Sequence, residues 1–389
     1  MGLHELLKQL DVKQTEPVVL CYYKNCYTQI LETIPGVKVI FIDDEALLEI
    51  KKMPASRFSF INILLLQYYA VKKYFYDDSK LIAFIYDLLQ KEKPQLVQHS
   101  NDIIDNRQSV RACIKAGIPQ LVYNHTLAGY GYNYTNYWLD YFLIKKLSFH
   151  IHMTEVVKAH FTKLFHIDKK KSAVFHDFVD TDKFMPKPEN ELLKQELGID
   201  ENDFVITDIG RIISWKGQHV LIEAVNLIKN KVPYFKVLIV GPYDKAVGSE
   251  TYYGELRKMA AKYGLEDIIL FTGNREDISD IINSSDVIVH TAIKPEPQGI
   301  VILEALLCKK PVIASNSGGS AELVKKYGGL LVKPSDAVAL AKILLHLING
   351  EKDKVSSENY PVHYEKLLQD FDPQNKVQQL MDIYKSVLN

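Results

Sequence analysis

Phe204-Val205-Ile206-Thr207-Asp208-Ile209 runs directly into Gly210-Arg211-Ile212-Ile213-Ser214-Trp215-Lys216-Gly217-Gln218. A β-branched run that stops at a glycine reads as a strand handing over to a loop, and the periodicity from Val220 to Lys229 reads as the helix that follows. The same unit recurs through the second half of the chain. Phe235-Lys236-Val237-Leu238-Ile239-Val240, Ile268-Ile269-Leu270-Phe271, Asp286-Val287-Ile288-Val289-His290 and Pro311-Val312-Ile313-Ala314 are strand candidates, with Leu330-Leu331-Val332 a shorter one. Segments of helical length, Tyr253 to Tyr263, Ile300 to Cys308 and Ala337 to Leu347, lie between them. Strand alternating with helix implies an α/β fold, a parallel sheet covered on both faces, in a Rossmann-like domain from about residue 190 to 365.

The first half shows the same alternation less cleanly. Val18 to Tyr22, Val37 to Ile42, Leu96 to His99 and Gln120 to Tyr123 read as strands. Phe178 to Asn190, with Pro186 and Pro188, reads as a connection between domains. Pro373 to Leu388 carries Val377, Leu380, Met381, Ile383, Tyr384 and Val387 at helical spacing, and such a helix needs an apolar surface to cover. The expected organisation is a first Rossmann-like domain over 1–185, a second over 186–365, and a last helix in 366–389 that packs back on the first domain.

Composition removes some functions. The chain has 389 residues, with 47 Lys and Arg against 48 Asp and Glu, so no global basic field attracts nucleic acid. Its four cysteines form neither a CxxC pair nor a Cys/His zinc spacing. His150 and His152 alternate on a strand candidate, and without a third ligand they imply no metal. Met1 leads into an amphipathic helical start rather than a secretory leader, so the expected location is cytoplasmic.

The residues that carry chemistry cluster in the second half. Glu296-Pro297-Gln298-Gly299-Ile300-Val301-Ile302-Leu303-Glu304 places one carboxylate in a loop and another inside a helix that is apolar nearly all round. A buried carboxylate is costly unless something hydrogen-bonds it, and a ribose diol offers two hydroxyls to its two oxygens. Gly299 at the helix start would let a phosphate or sugar reach the free N–H groups. The competing reading is a Glu paired with an internal Arg or Lys and a plain turn at Gly299. In Gly210 to Gln218, Arg211 and Lys216 at a strand's carboxyl end can clamp a diphosphate, or be a solvated Arg and a helix-opening Lys.

Together, G-R-x(4)-K-G followed by E-x(7)-E resembles the retaining GT-B glycosyltransferases often called family four or group one. Gly318-Gly319-Ser320-Ala321-Glu322-Leu323 looks like that family's G-G-x-A-E loop, and Val179-Asp180-Thr181-Asp182-Lys183-Phe184 like its interdomain V-D-T-D-x-F. The resemblance implies two Rossmann-like domains facing across a cleft and a sugar transferred from a nucleotide diphosphate donor to a glycan or lipid-linked acceptor, in polysaccharide or lipopolysaccharide assembly. It implies Arg211 and Lys216 on the diphosphate, with Gly210 beside them, and Glu304 on the ribose. Glu296 and the amides of Gly299, Ile300 and Val301 would meet the donor sugar, Asn274 and Arg275 would lie by the base, and His125 near the transferred sugar. Retention follows from same-face attack with the leaving diphosphate taking the acceptor's proton, a scheme that needs no metal or other cofactor. Asp180-Thr181-Asp182 and Asp370-Phe371-Asp372 fit a D-x-D pattern but follow no donor-sheet strand, and read as structural.

Other readings are a non-catalytic nucleotide-sugar binding subunit, a nucleotide-sugar epimerase and a phosphorylase. The last would want a pyridoxal-binding lysine, which is not identifiable. The chain's first ten residues look like the helix that in the family follows a first strand and glycine-rich loop, so that strand is expected to be missing. The aromatic tract Ala128 to Trp138 would suit a sugar or lipid-linked acceptor, or pack into the core. Phe58 to Tyr76, flanked by Lys51, Lys52, Arg57, Lys72 and Lys73, is read either as a peripheral membrane contact or as a buried helix with charged ends.

Overall fold

In the computed structural model, described over residues 2–10, 15–22, 26–42, 79–100, 103–127, 134–243, 249–351 and 363–389, the chain divides into two compact units. One is Met1–Phe178 with Pro373–Asn389, and the other is Val179–Asp372. The break thus lies ahead of the expected 185/186, and the return to the first unit comes at Pro373 rather than 366. The basic-flanked apolar stretch from Phe58 to Tyr76 and residues 128–133 of the aromatic tract lie outside the described residues.

The first unit opens with helix α1 (Gly2–Gln9), β1 (Val18–Cys21), α2 (Cys26–Leu31) and β2 (Lys38–Phe41). It continues through α3 (Ser79–Glu92), β3 (Val97–Ser100), α4 (Ile103–Ala116), β4 (Gln120–Asn124) and α5 (Tyr134–Ile144). β5 (Phe149–His152), α6 (Glu155–Phe165) and β6 (Ser172–Val174) complete it before the chain leaves. All pairings are parallel, in a sheet ordered β3-β4-β5-β6 and a separate pair β1-β2. Residues 2–9 are helical, and among the described residues β1 pairs with β2 alone.

In the second unit, α7 (Glu191–Glu196) leads to β7 (Phe204–Ile209), α8 (Gln218–Ile228), β8 (Phe235–Val240), α9 (Ser249–Lys262) and β9 (Ile269–Gly273). α10 (Ile278–Asn283), β10 (Val287–His290), α11 (Ile300–Leu307), β11 (Val312–Ser315) and α12 (Gly318–Tyr327) follow. β12 (Leu330–Val332), α13 (Ala337–Ile348) and α14 (Tyr364–Phe371) end the unit, and α15 (Pro373–Leu388) belongs to the first. Apolar runs such as Val287-Ile288-Val289 are buried on both faces, as a helix-covered parallel strand requires. On α15, Leu380 and Ile383 enter the first unit's core beside Leu6, Leu121 and Ile151, and the Lys376 ammonium donates to the His176 carbonyl at 2.6 Å.

The second sheet is ordered β12-β11-β10-β7-β8-β9. The chain builds outward from β7 through β8 and β9, then returns to place β10 on the other side of β7. The crevice between β7 and β10 is therefore the point where strand order reverses, the edge at which doubly wound sheets bind ligands.

Candidate functional site in the second unit

Both sequence motifs leave the sheet at that reversal. After β7, a short 3-10 turn over Ser214–Lys216 brings the Lys216 ammonium to 2.7 Å from Glu296 Oε2. At the end of β10, His290 places Nε2 at 3.3 Å from the same oxygen, and His290 is buried. Burial alone would raise the Glu296 carboxyl, but His290 and the Lys216 ammonium outweigh it and hold the pKa at about 2. Glu296 is thus an ionised carboxylate gripped from two strand ends. Gly210 lies against the Lys216 stem, where even a Cβ would make no more than ordinary contact.

A second carboxylate lies underneath. Asp208, the fifth residue of β7, is buried and accepts from the Thr291 hydroxyl at 3.2 Å. Thr291 lies 3.2 Å from the Lys216 carbonyl as well, so it ties the two loops together. Burial pushes the Asp208 pKa up to about 6, against the pull of His290, Lys216, Thr291 and Gln218.

The Glu296 loop is held by backbone. Glu296 bridges to Gly318, and the Gly319 amide donates to the Glu296 carbonyl at 2.6 Å. Gly318 has φ 65°, and a Cβ there would lie 2.3 Å from the Glu296 carbonyl oxygen, so only glycine permits the approach. The G-G-x-A-E loop is therefore a support for the first carboxylate of E-x(7)-E.

Gly299 caps α11 in the left-handed region at φ 84°. Every residue of α11 from Val301 to Leu307 is buried, which a helix apolar on all sides demands. Its N-terminal N–H groups open at the same sheet edge, with the Ser320 hydroxyl fully buried beside Gly299 and without a hydrogen-bond partner among the described residues. Glu304 is 8% exposed on this helix, and no described side chain donates to its carboxylate. Burial raises its pKa to about 7, with only Lys183 opposing. The pairing with an internal Arg or Lys that would make Glu304 structural is not seen. A buried acceptor pair without donors is the arrangement a diol would complete.

Arg211 is exposed, with no ion pair among the described residues. Asn274 is also exposed, after β9. Arg275 is committed elsewhere, donating to Asp277 at 2.6 Å and to Glu196 at 2.5 Å. Asp180 of the D-T-D stretch accepts from the amides of Asp182 and Lys183, a turn-forming role. In the first unit, His125 follows β4 with Nε2 3.4 Å from Asp177 Oδ1 and a buried Nδ1 that has no partner among the described residues. Tyr123 donates to the same carboxylate at 2.6 Å.

Two family models match adjacent stretches of the chain, "Glycosyl transferases group 1" over residues 189–361 and "Glycosyltransferase Family 4" over 49–183. The chain belongs to the group 1 glycosyltransferases. This glycosyltransferase is 29% identical over 321 residues to the UDP-Gal:alpha-D-GlcNAc-diphosphoundecaprenol alpha-1,3-galactosyltransferase of Escherichia coli, covering 79% of each chain. It is 27% identical to the putative glycosyltransferase EpsD of Bacillus subtilis, over 54% of this chain and 53% of the relative. Among solved structures, HepE of Anabaena in complex with UDP-glucose has a TM-score of 0.76 at 24% identity, with 99% of this chain and 96% of that one covered. A glycosyltransferase from Rickettsia africae has a TM-score of 0.78 at 23% identity, covering 100% and 94%. These likenesses establish the GT-B fold, and the enzyme is a hexosyltransferase by family.

Of the residues named from the sequence, Gly210, Arg211, Lys216, Glu296, Gly299, Ile300 and Val301 lie on the loops and the helix start at this edge and Glu304 one turn into α11, whereas Asn274 and Arg275 follow β9 and His125 belongs to the first unit. Sequence reading gave no role to Asp208, His290 and Thr291. A polar residue ending an apolar strand, as His290 does, was the available signal.

Proposed function

We propose that this glycosyltransferase moves a hexose from a nucleotide diphosphate sugar to a lipid-linked or glycan acceptor with retention of configuration. The supporting observation is the pairing of Lys216 with Glu296 beside the amide end of α11, one helical stretch from the donor-less Glu304. Glu304 accepts from the ribose hydroxyls. Arg211, Lys216 and the α11 amides receive the diphosphate, and Glu296 is released to accept from the sugar.

In the transfer, the bond from the anomeric carbon to the diphosphate oxygen breaks as the acceptor oxygen bonds to the same face of that carbon. The acceptor's proton passes to the departing phosphate. Charge developing on the diphosphate is met by Arg211, Lys216 and the helix N-terminus, so the scheme routes no step through a divalent ion. In the first unit, His125 holds Nε2 beside Asp177 and has no partner for Nδ1 among the described residues, and loss of turnover in His125→Ala would give it a part in the transfer. The Escherichia coli relative's substrates make UDP-galactose and a diphosphate-lipid acceptor the first pair to try, and a lipid-linked acceptor implies work at the cytoplasmic face of a membrane.

Calorimetry with UDP, GDP and ADP, followed by turnover of the matching sugars, tests the assignment. Binding of one diphosphate that weakens on Glu304→Gln, with turnover unaffected by a chelator, is expected. Unchanged affinity in Glu304→Gln would remove the ribose role.

A further inference from the structure

The outer face of α5 carries two large exposed aromatic side chains one turn apart, Trp138 at 44% and Phe142 at 65% exposure. A helix in a packed domain normally turns such residues inward, and here the inward places are taken by Leu143 and Ile144, and by Asp140 paired to Arg107. The aromatic face runs straight into exposed Lys145 and Lys146. The Lys145 ammonium donates to the His166 carbonyl at 2.6 Å, which ties the end of α5 to the segment carrying Lys169, Lys170 and Lys171. Lys145 precedes β5 and Lys171 precedes its parallel neighbour β6, so both lie at the amino-end edge of the sheet. Across residues 141–147 and 163–171 there are six lysines, Lys145, Lys146, Lys163, Lys169, Lys170 and Lys171, against the single acid Asp168. In a chain of net charge −1 this is a local concentration of positive charge, continuous with exposed aromatic surface.

We propose that this face of the first unit docks on an anionic lipid surface, with Trp138 and Phe142 entering the headgroup region and the lysines on lipid phosphates. Amphipathic aromatic rings are suited to that depth, and several lysines held near one plane each add attraction to an anionic leaflet. No described helix is long and apolar enough to cross a membrane, so this contact is one of lying on the surface. The inference rests on the proposed lipid-linked acceptor, since a surface-bound enzyme meets such an acceptor where it resides.

The chain has two tryptophans, Trp138 and Trp215, so Trp215→Phe leaves Trp138 as the only indole reporter. Full-length protein is mixed with vesicles of phosphatidylcholine alone or with phosphatidylglycerol added, and read by sedimentation and by Trp138 emission. Binding to the anionic vesicles alone is expected, with a blue shift of Trp138 and release at high salt. Phe142→Ser should weaken it. Lys146→Glu/Lys169→Glu/Lys170→Glu should cut partitioning at least about tenfold. These side chains are exposed, and an unchanged melting temperature shows that the variants fold. Equal binding to neutral vesicles, an unmoved Trp138 spectrum, or a patch that takes acidic polypeptide while ignoring vesicles would each overturn the lipid assignment. Nucleotide-diphosphate calorimetry on the same variants separates the two readings: intact nucleotide binding without vesicle binding removes only the docking surface, whereas no nucleotide binding by the wild type removes the donor site.

Discussion

Both units of this glycosyltransferase are parallel sheets that bury titratable groups, and burial acts on the two in opposite senses. In the first unit, His99, His150 and His152 are buried on β3 and β5. The register aligns His99 with Val122 and Val122 with His150, so His99 and His150 share a row. Desolvation lowers their pKa values to about 4 for His99 and His150 and about 3 for His152. In the second unit, burial raises Asp208 to about 6 and Glu304 to about 7. An imidazole held neutral gives stability that is full above its unfolded value of 6.5 and lost as pH falls. A carboxyl with a raised pKa does the reverse: its contribution is full below the unfolded value and lost as pH rises through the folded one. His150 and His152 stack on each other, His152 packs against Phe161, and His99 bonds to Gln120, as core groups do. Asp208 stands at a sheet edge beside Lys216, His290 and Thr291, and Glu304 lies on the helix that starts at that edge, with no described side chain donating to it. Burial there is maintained at a cost, and this is the edge proposed to take the donor.

The largest effect tests this contrast directly. Between pH 6.5 and 4.5 the first unit should lose on the order of 5 kcal/mol as three histidines become chargeable in the unfolded chain only. Over the same interval Glu304 and Asp208 should make the second unit more stable. Hydrogen exchange across a pH series reads both, and amides of β4 and β5 should open before those of β7 and β8 on acidification. The opposite order would remove the comparison.

Next comes the ion pair at the edge. Lys216→Met leaves Glu296 ionised, nearly buried and held by His290 alone, which should cost about 3 kcal/mol of stability. It should also lower kcat/KM by roughly 100-fold or more through loss of diphosphate stabilisation. Adding Glu296→Gln should restore much of the melting temperature and none of the activity. A double variant as unstable as the single one would show that the pair is not what holds the loop.

A smaller change sharpens the distinction between stability and function. Glu304 moves from an ordinary value of 4.5 to about 7, so its ionised form costs the fold on the order of 3 kcal/mol at alkaline pH. Glu304→Gln should therefore raise the melting temperature at pH 8 while weakening nucleotide-diphosphate binding by about 1–3 kcal/mol. Wild-type affinity should climb with pH through about 7 as the carboxylate forms. A variant no more stable than wild type at pH 8 would mean that Glu304 has a donor in the protein.

These contrasts also show what the chain discloses unfolded. Strands such as Phe235 to Val240 are legible because both faces are covered and the apolar run is nearly unbroken. The residues of G-R-x(4)-K-G and E-x(7)-E are legible because each motif is local: one loop, or one loop and its helix. Asp208 and Thr291 are not, since their contact joins residues 83 positions apart and neither residue is unusual in its own neighbourhood. His290 belongs with them, for it is placed on Glu296 only by the turn after β10. Gly318 and Gly319 could be noticed as a loop, but their support of Glu296 exists only once β11 lies beside β10.

The smallest expected effect separates two arginines that sequence reading placed on the same donor. Arg211 is exposed and unpaired among the described residues, whereas Arg275 is engaged by Asp277 and Glu196, and Asp277 is held below the ordinary carboxylate range by that contact. A guanidinium with two carboxylates already on it offers a nucleotide little, and its partner Glu196 is exposed enough for water to screen the bond. Arg275→Gln should cost less than about 1 kcal/mol in stability and leave nucleotide affinity where it was. Arg211→Gln should instead weaken the diphosphate and spare the fold. If calorimetry found the reverse, with Arg275 the one that matters, the pairs to Asp277 and Glu196 would have to open on binding, and the nucleotide would reach further toward β9 than the unpaired Glu304 and Arg211 indicate.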